Sequence, residues 1–356
     1  MKRFIIALVA LSMIFALTAC GSSPAPAQQQ AAPAAQAPAA EAPAEDTTVY
    51  TMTICHDEVL DSAQHRAMCA LEEYLEKESN GRLQVEVYPN AELGDAEKLL
   101  EMISMNTLQG SGFSSDYLAA YDDRLSFMQL PFLFDDYDQV DELVFNPDGY
   151  FHTLYNDIAI ENGFYVLGFQ YDGTRNFSNN VRPIYTAEDM VGLKVRAQQS
   201  DMSVSTFTAL GCNATAMSFS EVYTALQQGV VDGQDNPAPL TLAQKFNEVQ
   251  KYYSTLGHNA GIAVFVTSYE WLQSLPDDLR ELVLAAGEEI GAKQQREETR
   301  AKEQDALDAI DASGCAVNYI TDKSTFIEAT QPVYEKFRGV YGDEFMDNVL
   351  NAVGKG

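Results

Sequence analysis

Between residues 191 and 237 the chain twice alternates a short apolar run with helical apolar periodicity. Leu193 and Val195 mark a strand. Val204, Phe207 and Leu210 then share one helical face, with Ser200 placed to cap the helix and Gly211 placed to end it. A brief strand is predicted over residues 214–217. Ser218 and Glu221 have the spacing of a capping box opening a second helix, with Phe219, Val222 and Leu226 inward and Gly229 as its stop. Val230 and Val231 begin a third strand. Strand and helix periods exchanged in this order spell a βαβαβ unit of parallel strands.

The same logic opens the chain's folded part. Tyr50, Met52 and Ile54 alternate as a strand, Ala67, Ala70, Leu71, Tyr74 and Leu75 form a helical stripe, and Leu83, Val85 and Val87 alternate again. Leu99, Leu100 and Ile103 belong to a further helix, and the run LQGSGFSS at residues 108–115 reads as a cleft-lining loop. Residues 164–170 form an apolar strand leading into YDGTRNFSNN, where Gly173 permits a turn and the chain is expected to cross into a second lobe. The run GIAVFVTSYEW at residues 261–271 reads as a buried strand that returns to the first. From Pro276 a helix can continue to residue 312, about 55 Å at 1.5 Å per residue. Its apolar stripe (Leu279, Leu282, Val283, Ala286, Ile290) fades over residues 291–305 and resumes at Leu307 and Ile310, as suits a helix bridging two lobes. The expected architecture is α/β, with residues 48–172 and 262–300 in lobe I and residues 173–261 and 301–356 in lobe II.

Before these elements, Lys2 and Arg3 precede an apolar run too short to span a bilayer by the usual count of about 20 residues. Leu17, Thr18, Ala19 and Cys20 resemble a bacterial lipoprotein cleavage box, so residues 1–19 read as a signal peptide and Cys20 as a lipidation site. Residues 20–47, rich in Ala, Pro and Gln, read as a disordered tether.

Charge narrows the partners. The chain carries 22 basic and 52 acidic side chains, a net charge of -30, which argues against nucleic acid or anionic lipid surfaces. Each arginine in a motif is therefore informative. Arg196 and Asn236 fall at the carboxyl ends of predicted parallel strands, where α/β sheets bind ligands. An arginine fork and an asparagine amide there suit an organic anion, the alternative being a surface ion pair and a turn residue before Pro237. His56 and Asp57 end the first strand. The four histidines (56, 65, 152, 258) lack metal spacing, and the acidic run at residues 135–142 lacks the glycine and glutamate of a calcium loop. Gly110 and Gly112 make only a fragment of a dinucleotide fingerprint, and no nucleophile elbow occurs, so no metal, cofactor or catalytic residue is expected. Cys55, Cys69, Cys212 and Cys315 allow three disulfide connectivities, but their apolar neighbours favour buried free thiols.

The segments GLKVRAQQS, MSFSEVYTALQQG and VVDGQDNP, together with SNGRLQVEVYPNAELG, LPFLF and GTRNFSNN, resemble the DctP-type solute-binding proteins of tripartite ATP-independent periplasmic (TRAP) transporters. The similarity covers nearly all of residues 49–350. It implies a two-lobed periplasmic-binding-protein-like fold with a ligand cleft between the lobes and no enzymatic activity. It also implies capture of a small organic acid for the small and large membrane subunits of an ion-gradient-driven transporter. The receptor is expected to be monomeric, extracytoplasmic and held at the bacterial cell membrane by a lipid on Cys20. On this resemblance Arg196 neutralises the ligand carboxylate, Arg175 and Asn236 complete the polar contacts, and Phe219 packs on the carbon skeleton. Ser114 and Ser115 help select the ligand, and His56 and Asp57 present polar groups to it. A sensing receptor coupled to a signalling partner would share all these features. An exported enzyme acting on an organic acid fits less well, since neither an activated nucleophile nor a metal cluster is visible.

Overall fold

A computed structural model describes residues 47–356. The expected signal peptide, Cys20 and nearly all of the expected tether lie outside the described residues. In the first lobe β1 (Tyr50–Cys55) runs parallel to β2 (Leu83–Tyr88), with Tyr50 opposite Leu83 and Cys55 opposite Tyr88. The intervening helix, Ala63–Glu78, is capped by Ser62 and buries Met68, Leu71 and Leu75. Its buried face is turned slightly from the expected stripe, leaving Tyr74 40% exposed and Gln64 inside.

Residues 108–115 are not the expected loop. Ser111–Ser114 form β3, which pairs antiparallel with β10 (Ile262–Ser268), and β10 in turn pairs antiparallel with β4 (Phe164–Tyr171). The strand is four residues long and buried throughout, so it shows none of the alternation that betrays a half-buried strand. A Cβ on Gly112 would meet the amide ends of Gln64 and Gln170, which would have to move to admit it.

The second lobe holds a six-stranded sheet. Its order is β11 (Ala316–Asn318), β9 (Tyr252–Asn259), β5 (Arg175–Asn179), β8 (Gly233–Asn236), β6 (Lys194–Ala197) and β7 (Asn213–Ala216). β6 is parallel to both β7 and β8, which is the predicted parallel unit. Ser200 caps its first helix by accepting from the Ser203 amide. Two local expectations fail. Ser218 forms no cap bond; its hydroxyl meets that of Ser220, Phe219–Glu221 make one 3-10 turn, and the helix proper is Val222–Gln228. The third strand begins at Gly233, because Gly229 turns the chain through a left-handed φ of 70° and leaves Val230 55% exposed.

The lobes are joined between β4 and β5, between β9 and β10, and by one continuous helix from Asp277 to Ala312 that contains a π-helical segment, Gly287–Gln294. Leu279, Val283 and Ala286 pack with Met68, Leu71 and Phe265 of the first lobe, and Ala306 and Ile310 with Tyr253 and Ala238 of the second. The polar stretch between these ends binds the β4–β5 crossover. Gln295 accepts from the Tyr171 amide at 2.8 Å and donates to its carbonyl at 2.9 Å, Arg296 donates to the Phe169 carbonyl, and Glu303 accepts from the Thr174 amide at 2.6 Å. Backbone groups leaving a sheet need partners once buried, and these side chains supply them. The C-terminal helices divide differently from the expected lobe boundary. Phe326 packs in the second lobe, whereas Val333, Phe337, Met346 and Val349 join Phe127 and Leu130 in the first.

Candidate ligand-binding site

Arg196 occupies the third position of β6 and Asn236 the last of β8, so neighbouring parallel strands deliver both to one sheet edge. Neither is on the surface. Arg196 is 1% exposed, donates from Nε to the Met217 carbonyl at 3.1 Å, and lies 5.8 Å from the centre of the Phe219 ring. Its Nη2 has no hydrogen-bond partner. A buried guanidinium with a free face is costly unless another group completes it. Asn236 donates to Gln234 and accepts from the Tyr253 hydroxyl at 2.9 Å through its carbonyl.

A narrow cavity of about 30 Å³ is lined by Arg196, Arg175, Asn236, Phe219, Ser114 and Asp57, which gathers six of the eight candidate ligand residues. Ser115 and His56 do not line it. Ser114 and Asp57 face the cavity, while the Ser115 hydroxyl accepts from Gln129 at 2.9 Å and His56 Nε2 lies 3.1 Å from His65 Nδ1. Burial, with His65 beside it, pulls the His56 pKa down to about 3. The sequence reading missed Glu58, Tyr117, Asp172, Gln198 and Leu240, which also wall the cavity. Asp172 and Gln198 stand three and two residues from the motif arginines, the one signal that pointed to them.

Arg175 faces the cavity but is already engaged. Its Nε donates to Asp235 Oδ2 and its Nη2 to the Asp235 carbonyl, both at 2.6 Å, and His258 Nε2 lies 3.3 Å from the same carboxylate. Burial alone would raise the Asp235 pKa, but Arg175 and His258 hold it well below the usual carboxylate range. The other acids behave oppositely. Burial pushes Asp57 up to about 6 and Asp172 up to about 7, and burial together with Asp172 and Asp57 raises Glu58 well above its ordinary value.

A stability consequence follows for Asp172. Its folded pKa exceeds the unfolded value of about 3.9, so between these pH values the folded protein holds a proton the unfolded chain has released, and stability falls as pH rises. Asp172→Asn removes that liability. The variant should match wild type near pH 4 and gain on it up to pH 8, by at most about 4 kcal/mol at 1.4 kcal/mol per pKa unit. Urea denaturation of both proteins at pH 4, 6 and 8 measures the difference; a constant gap across this range would contradict the assignment.

Two other cavities border this region or lie apart from it. One of about 390 Å³ shares Glu58, Asp172 and Leu240 with the arginine cavity and is closed by Thr299, Lys302 and Ala306 of the bridging helix. Another, about 670 Å³, is lined by Thr174, His258, Phe132, Lys323 and Tyr334 and shares no residue with the arginine cavity. Among the described residues no cluster of three or more His, Cys, Asp or Glu side chains is arranged to hold a metal, and no helix is long and apolar enough to cross a membrane. Cys55, Cys69, Cys212 and Cys315 are free thiols.

A family model described as bacterial extracellular solute-binding protein, family 7 (DctP), matches residues 56–339. The C4-dicarboxylate-binding periplasmic protein DctP of Vibrio cholerae is 31% identical over 288 residues, covering 80% of this chain and 85% of the relative. The sialic acid-binding periplasmic protein SiaP of the same organism is 27% identical, covering 81% and 88%. Among solved structures, the sugar acid binding protein DctPAm of Advenella mimigardefordensis with galactonate superposes with a TM-score of 0.81 at 27% identity, over 86% of this chain and 99% of that one. A TRAP solute-binding protein of Sulfurospirillum deleyianum with bound succinate gives 0.78 at 25% identity, over 86% and 99%.

Proposed function

The chain belongs to family 7 of the bacterial extracellular solute-binding proteins, and from that premise we propose that it captures a small organic acid between its lobes and delivers it to a TRAP transporter. The observation that carries this reading is the Arg196 guanidinium, buried at the carboxyl ends of parallel strands with one nitrogen unpartnered and facing a cavity. A carboxylate fits that vacancy by charge and by the planar geometry of the fork. Arg175, steadied by Asp235, and Asn236 supply further donors, Phe219 covers the carbon skeleton, and Ser114 and Asp57 read its substituents. Ser115 and His56 are given no ligand role. About 30 Å³ admits water but not an organic acid, so binding requires the lobes to part about the two strand crossovers and close again. No chemistry is performed on the ligand. The receptor acts as a monomer and passes its cargo to the small and large membrane subunits.

A thermal-shift screen against C4-dicarboxylates, sugar acids, keto acids and amino acids tests the reading. An acid present at 100 times its dissociation constant should stabilise the folded state by about 2.7 kcal/mol. A screen in which no acid shifts the transition would remove it.

We further propose that a lipid on Cys20 holds the protein at the extracytoplasmic face of the cell membrane. The segment after Cys20 has no amphipathic stripe to provide a second attachment. Cys20→Ala should therefore move the protein from the membrane fraction to the soluble one, as read by fractionation and immunoblotting. Retention of the variant on membranes would refute the anchor.

A further inference from the structure

We propose that the acid bound in this cleft also carries a protonated nitrogen, held among Asp57, Glu58 and Asp172 while its carboxylate lies on Arg196. This deepens the organic-acid reading above and rests on it. The argument is a charge inventory of the walls. Of the two arginines lining the cavity, Arg175 is committed to Asp235 at 2.6 Å. Arg196 has no carboxylate within ion-pair distance; its one protein hydrogen bond goes to a backbone carbonyl, and Nη2 is buried and unpartnered. Against this single uncommitted cation stand three carboxylates in the same walls, Asp57, Glu58 and Asp172. None of the three forms an ion pair within 4 Å among the described residues, and Asp172 Oδ1 is buried without a hydrogen-bond partner.

The adjoining 390 Å³ chamber has the same sign. It shares Glu58 and Asp172 with the cavity and adds Asp61 and Asp305. Its two cations are already occupied: Arg66 binds Glu298 and Asp61, and Lys302 binds Glu298. A ligand anchored at Arg196 and reaching toward the chamber therefore meets one positive group at its head and, along its body, the carboxylates of Asp57, Glu58 and Asp172, which have no ion-pair partner of their own among the described residues. A second carboxylate on the ligand would be pressed against them. Hydroxyl groups could donate to them but would leave the charge buried when the lobes close. An ammonium both donates and neutralises. The raised pKa values of Asp57 and Asp172, about 6 and 7, agree with this picture, since in the empty cleft protons take the place of the missing cation.

Calorimetric titration at pH 8 with two matched sets of probes tests the proposal: 4-aminobutyrate, 4-hydroxybutyrate and succinate, and 6-aminohexanoate, 6-hydroxyhexanoate and adipate. In at least one set the amino acid should bind about tenfold or more tighter than both partners of equal length. Glu58→Gln combined with Asp172→Asn should reduce that preference to less than about threefold in a protein whose circular dichroism is unchanged. Equal or tighter binding of the hydroxy or dicarboxylic member in both sets overturns the proposal. So does silence from all six probes while another acid of the wider screen binds. If no acid of any kind binds, the organic-acid reading itself fails, which separates the two results.

Discussion

Replacing Arg196 with alanine is expected to cost two to four decades of affinity for the cognate acid while costing the empty protein little stability. Both halves have one physical origin. In the empty cleft the guanidinium is 1% exposed, holds one carbonyl, and leaves Nη2 without a partner. Removing a buried, incompletely paired charge relieves a desolvation cost, so the folded state loses little and can gain. In the closed complex the same substitution strands a desolvated carboxylate, a change worth about 3–5 kcal/mol. Arg196→Lys keeps the charge but not the planar fork, and should fall between the two. Calorimetric titration reports the affinities and urea denaturation the stability of the ligand-free proteins. Binding by the alanine variant within about threefold of wild type would show that less than about 1 kcal/mol is at stake and that the carboxylate is held elsewhere.

Asp235→Asn should behave in the opposite way, damaging the fold before it damages binding. Asp235 is 1% exposed and its carboxylate takes Arg175 at 2.6 Å and His258 at 3.3 Å. Neutralising it leaves the buried Arg175 charge without its ion-pair partner, which is expected to destabilise the protein by up to about 3–5 kcal/mol. Replacing the pair together, Arg175→Met with Asp235→Leu, removes the stranded charge and should recover much of that loss, although ligand affinity will not return with it. The native pair is also insensitive to moderate acid. Because the folded pKa of Asp235 is depressed, its contribution is present above the unfolded value of about 3.9 and is lost only as pH falls toward the folded one. A double variant no more stable than Asp235→Asn alone would indicate that lost packing, not the stranded charge, dominates.

These contrasting arginines show where sequence reasoning succeeds and where it stops. The place of Arg196 and Asn236 at one sheet edge was legible because the alternation of strand and helix periods brings the carboxyl ends of parallel strands together before any contact is known. The exposure of Arg196 was not legible: residues of the first lobe, Asp57, Tyr117 and Asp172, cover it, and that cover comes from tertiary closure rather than from its own strand. Ser115 opens a 3-10 turn and bonds Gln129, and His56 turns toward His65, so neither lines the cavity although its sequence neighbour does. The strand Ser111–Ser114 was hidden because burial on both faces erases the period by which strands are recognised. The bridging helix was visible from its apolar ends, yet the meaning of its polar centre appeared only when Gln295 and Glu303 were found on the backbone of the β4–β5 crossover.

The four free thiols impose a constraint on manufacture. Cys55, Cys212 and Cys315 are buried and Cys69 is partly so, and burial, the largest influence on each, raises their pKa values, which suppresses the reactive thiolate. Once the chain is folded, these four thiols are thereby made less open to oxidation. A chain emerging unfolded beyond the membrane has no such protection, and wherever that compartment is oxidising, core formation has to outrun thiol pairing. Conversely, among the described residues no disulfide calls for an oxidant, so residues 47–356 should fold in a reducing cytoplasm.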